Sequence, residues 1–276
     1  MIETQAHTTL SDLLVKRFSK EELKLLPKGW QILGDIIIIS IPPQLETRKH
    51  EIGEALLQFY PRCKTVLRLR RILGPYREPD VEIIAGDGTE TIHKENGCKF
   101  KLDAAKIMFS PGNLDERKRM SMLGKDEIVV DMFAGIGYFS IPMAVHSRPE
   151  RIIAIEVNPL AYRYLCENVK LNKVDDIIQP MHGDCAIKTP VGIADRVIMG
   201  NFEASHYLAH GINAVKSGGI LHYHETTPEK LVFDRPIKRI TSAANELGRT
   251  VKIQKRRKVK KYSPGVWHIA IDAQVF

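Results

Sequence analysis

From residue 126 onward, apolar runs of five to seven residues alternate with longer amphipathic stretches. The runs at 127–132, 151–156, 177–182, 195–200 and 218–224 are rich in Ile and Val, which favour a pleated, buried strand. The stretches between and after them, at 138–147, 158–172, 203–216 and 233–247, repeat their apolar positions at helical spacing. Strands alternating with helices predict a parallel sheet covered by helices. Two final runs, Arg249–Lys258 and Val266–Val275, joined through Tyr262, Ser263, Pro264 and Gly265, read instead as a hairpin.

The first hundred residues have a different rhythm. Leu10–Phe18 and Glu21–Leu26 are short helical patterns, Trp30–Ile41 reads as one long strand or a strand pair, and Pro42 and Pro43 end it. Leu45–Phe59 is amphipathic and stops before Pro61. Short strands are expected at Thr65–Leu69, Val81–Ala85, Glu90–His93 and Cys98–Leu102, with turns at Gly86–Gly88 and Glu95–Gly97. The expected organisation is therefore a small α+β domain over 1–103, followed by an α/β domain over 104–276.

The first α/β strand ends in Asp131 and runs into a turn containing Phe133, Gly135 and Gly137. Glycine there lets backbone approach a ligand closely, and the helix that follows offers N–H groups with no partner in the helix. The second strand ends in Glu156, an acid placed to hold ribose hydroxyls. Past the third lies Asp184, placed to accept the exocyclic amine of adenine, with the Cys185 N–H facing the ring; a turn or helix cap would use the same aspartate. The dinucleotide fingerprint G-x-G-x-x-G is incomplete, because Ser140 stands at its third glycine. The pattern D-x-F-x-G-x-G-x-F resembles the first motif of the S-adenosylmethionine-dependent transferases.

Charge narrows the partner. Lys and Arg number 41 against 33 Asp and Glu, a net +8, and the excess is clustered. Residues 62–71 carry five positive charges and 251–262 carry seven, neither with an acid. Such clusters suit a polyanion such as nucleic acid, although a solvated strand face would carry the same charge. The four cysteines are scattered with no C-x-x-C pair, so neither a zinc site nor a disulfide framework is expected. His222 and His224 alternate onto one face, but no third metal ligand accompanies them, and no metal is expected. A polar N-terminus and the lack of a bilayer-length apolar run predict no secretory leader, no membrane span and a cytoplasmic protein, taken as a monomer.

Four blocks together resemble one superfamily: Leu73–Pro79, Phe109–Arg117, the glycine turn, and Lys260–His268. It contains the tRNA guanine-37 N1-methyltransferases and the wybutosine-synthesis aminocarboxypropyltransferases, and the likeness covers roughly residues 20–276. The Phe109–Arg117 block and the run His222, Tyr223, His224 look like the archaeal-type tRNA wybutosine-synthesizing protein 2 branch. Asn201, after the fourth strand, departs from that branch and leaves guanosine-37 methylation as the alternative; a non-catalytic tRNA-binding protein with a retained cofactor fold is the reading of another class.

The resemblance implies a class I, Rossmann-like S-adenosylmethionine-dependent transferase whose sheet ends in an antiparallel hairpin. It implies S-adenosylmethionine as group donor and the anticodon loop of tRNA(Phe) as partner. It places Ser110 and Arg117 at the methionine end of the donor and Glu116 near the reacting base as a proton acceptor. Asp131, Phe133, Gly135, Glu156, Asp184 and Cys185 would hold the rest of the donor. Tyr76 is a candidate for stacking on the target base, and equally for a structural aromatic at the domain junction.

Overall fold

A computed structural model describes residues 9–74 and 77–276. The chain divides into two compact units: residues up to Lys94 with Lys101–Phe109, and Glu95–Phe100 with Ser110–Phe276. Tyr76 lies outside the described residues.

The first unit begins with two short helices, α1 (Leu10–Leu14) and α2 (Lys20–Leu25). Each starts at a capping box, Thr9 with Asp12 and Ser19 with Glu22, in which side chain and backbone satisfy each other's exposed donors. The Trp30–Ile41 run is a strand pair, β1 (Gln31–Leu33) and β2 (Ile36–Ile39), antiparallel about the turn at Gly34 and Asp35. The Leu45–Phe59 pattern is helical only in its second part. A 3-10 segment over Pro43–Arg48 precedes α3 (Lys49–Phe59), with Pro43 in its first turn. Helix α3 connects β2 to β3 (Thr65–Leu73), which pairs parallel to β2 and antiparallel to β4 (Glu78–Gly86). Its buried face of Ile52, Ala55 and Leu56 packs in one core with Ile37, Ile39, Val66 and Ile84. Strands β5 (Glu90–Glu95) and β6 (Cys98–Asp103) form a separate two-stranded ladder.

The second unit is built on a seven-stranded sheet. Its strands in chain order are β7 (Ile128–Asp131), β8 (Arg151–Glu156), β9 (Ile178–His182), β10 (Ala194–Met199), β11 (Val215–Pro228), β12 (Val251–Ser263) and β13 (Val266–Val275). The helices are α4 (Leu114–Ser121), α5 (Ser140–His146), α6 (Pro159–Leu171), α7 (Cys185–Lys188), α8 (Leu208–Ala214) and α9 (Asp234–Glu246). The spatial order is β12-β13-β11-β10-β7-β8-β9. Strands β7 to β11 pair in parallel, and β13 enters antiparallel between β11 and β12. This is a doubly wound sheet closed by an antiparallel terminal hairpin, as the sequence pattern predicts. Strand order reverses at β7 and β10, and ligands of open α/β sheets bind at the carboxyl edge beside such a reversal.

Three elements differ from the sequence pattern. The fifth strand runs from 215 to 228, not 218 to 224, because β13 pairs with it continuously from Ile220 to Pro228. Its polar end, Glu225 to Thr227, lies beyond the run expected as strand. Glu225 is nevertheless fully buried, accepting from Tyr223, Thr227, Arg235 and Arg239. The helix expected at 203–216 is a 3-10 turn, Ala204–Tyr207, followed by α8, because Val215 already pairs with Ala194. The closing hairpin is longer than expected, pairing as far as Ser263 with Val266 across Pro264 and Gly265.

Among the described residues no helix is long and apolar enough to cross a membrane. Ile37 is fully buried in the middle of the first unit's core. Ile37→Ala should therefore lower stability by ~2–5 kcal/mol, through lost transfer energy and the cavity left behind. Urea unfolding measures this, and a loss below ~1 kcal/mol would contradict the packing described.

Candidate functional site

The acids at the strand ends do three different jobs. Asp131 is fully buried and holds the turn together. Its Oδ2 accepts from the Ser140 hydroxyl at 2.6 Å, and Oδ1 accepts from the Phe133 N–H at 3.4 Å. Ser140, at the position of the missing third glycine, thereby pins the first turn of α5 to the end of β7. Burial pushes the Asp131 carboxyl up to about 6, against the pull of those two hydrogen bonds.

Glu156 spans two loops. Its Oε2 accepts from the Gly135 N–H at 2.7 Å and its Oε1 from the Asn158 N–H at 2.8 Å. Burial raises its pKa, and the three backbone donors of Asn158, Gly135 and Val157 oppose that rise. Asp184 caps α7, with Oδ1 accepting from the Ala186 N–H at 2.8 Å. Asp184 itself stays exposed. Cys185 behind it is buried, and burial pushes its thiol up to about 12, so it stays protonated and unreactive.

The turn needs its glycines. Gly135 and Gly137 have φ of +58° and +98°, and a Cβ on either would stand 2.5 Å from the Tyr138 ring or 2.4 Å from Ile141. Phe133, half-buried, stacks edge-on against Tyr207 at 5.5 Å, and the electrostatics of Tyr207 register Asp184 and Cys185 nearby. Phe133, Tyr207 and the Asp184–Cys185 corner thus lie near one another past the carboxyl ends of β7, β9 and β10. Tyr207 carries no motif signal, since it sits in the turn after β10 with no fixed spacing from the glycines.

The upstream block is more tightly built than its sequence suggests. Arg117, 3% exposed, donates Nε and Nη2 to the two oxygens of Glu95, both at 2.6 Å, and Nη1 to the Ser110 carbonyl at 3.0 Å. Its bidentate partner in this structure is a carboxylate of the protein. The Ser110 hydroxyl accepts from Lys260 Nζ at 2.5 Å, and a Cβ on Gly112 would meet the Lys260 chain at 2.8 Å. The 110–113 turn is braced from both sides.

Glu116, one residue before Arg117, points into a different environment. It is fully buried and receives Arg119 at 2.5–3.1 Å, with Arg257 Nε at 3.1 Å and His224 Nε2 at 3.8 Å. Burial alone would raise its pKa. The Arg119 hydrogen bonds and the surrounding positive charge outweigh that and hold it below the ordinary glutamate value. A carboxylate stabilised in this way is a weak base, which counts against Glu116 as the proton acceptor.

The same network fixes a histidine. Arg196 Nη1 lies 2.5 Å from His222 Nε2, and His222 Nδ1 lies 2.6 Å from Asp272. A guanidinium only donates, so Nε2 accepts and Nδ1 carries the proton. This is the neutral form, in keeping with a pKa lowered chiefly by burial. With Nε2 engaged by Arg196, His222 is not presented to a metal. His224, also buried, contacts His268 at 3.0 Å and is pushed down to about 4 by burial. Beyond His268 the rings of Phe202 and then Tyr262 follow at 4.8 and 5.2 Å, and Tyr262 is 44% exposed. Asn201, between β10 and Phe202, accepts from the Glu203 N–H at 2.9 Å.

Comparisons with known proteins find relatives along nearly the whole chain. A family model described as the TRM5/TYW2 methyltransferase domain matches residues 91–253, and one described as the TYW2 N-terminal domain matches residues 10–89. The chain is 43% identical over 269 residues to the Pyrococcus horikoshii protein named tRNA(Phe) (4-demethylwyosine(37)-C(7)) aminocarboxypropyltransferase, covering 97% of this chain and 96% of that one. It is 39% identical over 261 residues to the Pyrococcus abyssi tRNA (guanine(37)-N(1))-methyltransferase Trm5b, covering 93% of this chain and 77% of that one. The crystal structure of P. horikoshii TYW2 in complex with MeSAdo superposes with a TM-score of 0.87 at 41% identity, covering 97% of this chain and 98% of that one.

The buried acid of the turn gives a test of the site's electrostatics. A carboxyl whose pKa rises from 3.8 to about 6 on folding takes up protons as the chain folds, so its contribution to stability falls as pH rises through that interval. Asp131→Asn removes this dependence. Between pH ~4 and ~7 the stability difference should move in the variant's favour by up to ~3 kcal/mol. Denaturant unfolding at both pH values measures it, and a pH-independent difference would show that Asp131 is not held in a charge-disfavouring site.

Proposed function

Because the chain belongs to the TRM5/TYW2 methyltransferase family, we propose that it transfers the 3-amino-3-carboxypropyl group of S-adenosylmethionine to C7 of 4-demethylwyosine at position 37 of tRNA(Phe). The observation that carries this choice over methylation is the match of residues 10–89 to the TYW2 N-terminal domain, together with near-complete two-way coverage of the aminocarboxypropyltransferase relative. Asn201 departs from that branch and is what keeps methylation as the alternative, but the residue after it is Phe202, and no proline follows to shape a grip on a planar amide nitrogen.

All three carbons on the donor's sulfonium are electrophilic, so orientation decides which group moves. In this reading the adenine lies against Phe133, Tyr207 and Asp184–Cys185, and the ribose hydroxyls face Glu156. Backbone N–H groups of the glycine turn approach the donor closely. The 110–113 turn, braced by Arg117 and Lys260, holds the amino-acid tail so that its γ-carbon faces the acceptor. C7 attacks that carbon, the carbon–sulfur bond breaks, and neutral 5′-methylthioadenosine leaves. The proton on C7 then passes to water, because Glu116 is held as a low-pKa carboxylate by Arg119. Phosphate contacts from the first unit and the basic strand β12 position the anticodon loop. The exposed ring of Tyr262 offers a stacking face to a splayed base of the loop.

The deciding experiment supplies carboxyl-labelled and, separately, methyl-labelled S-adenosylmethionine to tRNA(Phe) bearing 4-demethylwyosine and to tRNA bearing unmodified guanosine 37. Carboxyl label on the modified tRNA alone is the expected result. Methyl label without carboxyl label would replace the reading with methylation. No label on either tRNA would favour a binding protein with a retained cofactor fold.

A further inference from the structure

The five cations of residues 62–71 do not share one fate. Arg68 donates to Glu46 at 2.6 Å and also reaches Glu82, Arg70 donates to Glu82 at 2.7 Å, and Arg71 donates to Asp80 at 3.3 Å. These three project from β3, and acids of β4 and of the turn before α3 offset their charge. Their charge is partly offset before a polyanion arrives.

Arg62 and Lys64, just before β3, lie elsewhere. They line a cavity of about 780 Å³ together with Lys94, Lys101, His93 and Asp35. The whole lining carries four Lys or Arg against two carboxylates, Asp35 and Glu90, a surplus of two positive charges drawn from segments far apart in sequence. Lys94 and Lys101 belong to neither basic run of the sequence.

The floor of this cleft is fixed by hydrogen bonds. The Thr91 hydroxyl donates to the Asp35 carboxylate at 2.6 Å and accepts from the Asp35 N–H at 3.2 Å. The Gly34 N–H donates to His93 at 3.3 Å. Lys64 Nζ donates to the Glu90 carbonyl at 2.8 Å and stands 3.2 Å from Asp35, so Asp35 is spent within the floor. Arg62 and Lys94 are exposed at the rim, with Ile92, itself 45% exposed, beside them. A preorganised, cation-rimmed concavity with an apolar wall suits a phosphodiester and the sugar attached to it.

We propose that this cleft grips the phosphate backbone of the tRNA substrate, and that Arg62 and Lys94 at its exposed rim supply more of the first unit's electrostatic hold than the arginines of β3. The inference rests on the tRNA reading given under Proposed function and adds where on the first unit the contact is made.

The test measures the affinity of tRNA(Phe) across a salt series for three proteins. These are the unaltered chain, the variant Arg62→Ala/Lys94→Ala, and the control Arg70→Ala/Arg71→Ala, with S-adenosylmethionine affinity measured alongside. The cleft variant should bind tRNA ~10-fold more weakly near 0.1 M salt, and its log–log salt slope should be shallower by about 2. The control should lose less than ~3-fold, because its charges are already paired. Donor affinity should stay the same in all three. The single exposed-site change Lys94→Glu should shift tRNA affinity in the same direction with folding undisturbed. Equal losses in cleft variant and control, or an unchanged salt slope, would overturn the assignment. Failure of the unaltered chain to bind tRNA while it binds S-adenosylmethionine would overturn the tRNA reading itself, and the cleft with it.

Discussion

The pairing of Arg117 with Glu95 is the constraint on which the 110–113 turn depends. Both side chains are largely withdrawn from water, and the guanidinium meets both carboxylate oxygens at 2.6 Å while its third nitrogen holds the Ser110 carbonyl. A buried pair of this kind contributes little net stability, because desolvation offsets the attraction. Its value is geometric: removing either member strands a charge and costs ~3–5 kcal/mol, so the 110–113 turn has one permitted position. Lys260, reaching from the basic strand to the Ser110 hydroxyl, restrains the same turn from the other side.

One residue away the chain uses the same device for a different purpose. Consecutive helical positions point about 100° apart, so Glu116 enters the interior beside β13 while Arg117 turns to Glu95. Arg119 bridges Glu116 to Asp272, Asp272 accepts from His222, and Arg196 binds both His222 and Glu127. This chain of charges crosses from α4 through the strands at the reversal of the sheet. It leaves Glu116 and Asp272 ionised and His222 neutral. The interior beside the donor site is therefore fixed in protonation as well as shape, and in the proposed reaction selectivity comes from how the donor is held.

Much of this was legible in the sequence wherever a short-range rule applied. The Ile and Val runs ending in Asp131 and Glu156 fix the strands and their carboxyl ends, and Gly135 and Gly137 mark a turn that few other residues can make. What escaped the sequence is long-range and polar. Arg117 and Glu95 are 22 residues apart, and Arg119 and Asp272 are 153 apart, so no periodicity connects them. Glu225 lies just past the run expected as strand, and its partners, Arg235 and Arg239, lie on a helix further along the chain. The basic run at 62–71 looks like one patch, yet cross-strand acids divide it into a paired sheet face and a cleft rim. Ser140, read as a missing glycine, proves to be the donor that satisfies the buried Asp131.

The most direct test of this account is the kinetics of Arg117→Ala and Glu95→Gln with saturating modified tRNA and varied S-adenosylmethionine. If the pair sets the turn that holds the amino-acid tail, both variants should raise the donor KM by at least ~10-fold, corresponding to a loss of ~1.4 kcal/mol or more. Tryptophan fluorescence and thermal unfolding would confirm that the remaining protein is folded. A donor KM unchanged in both folded variants would contradict the claim that this buried pair governs how the donor is held.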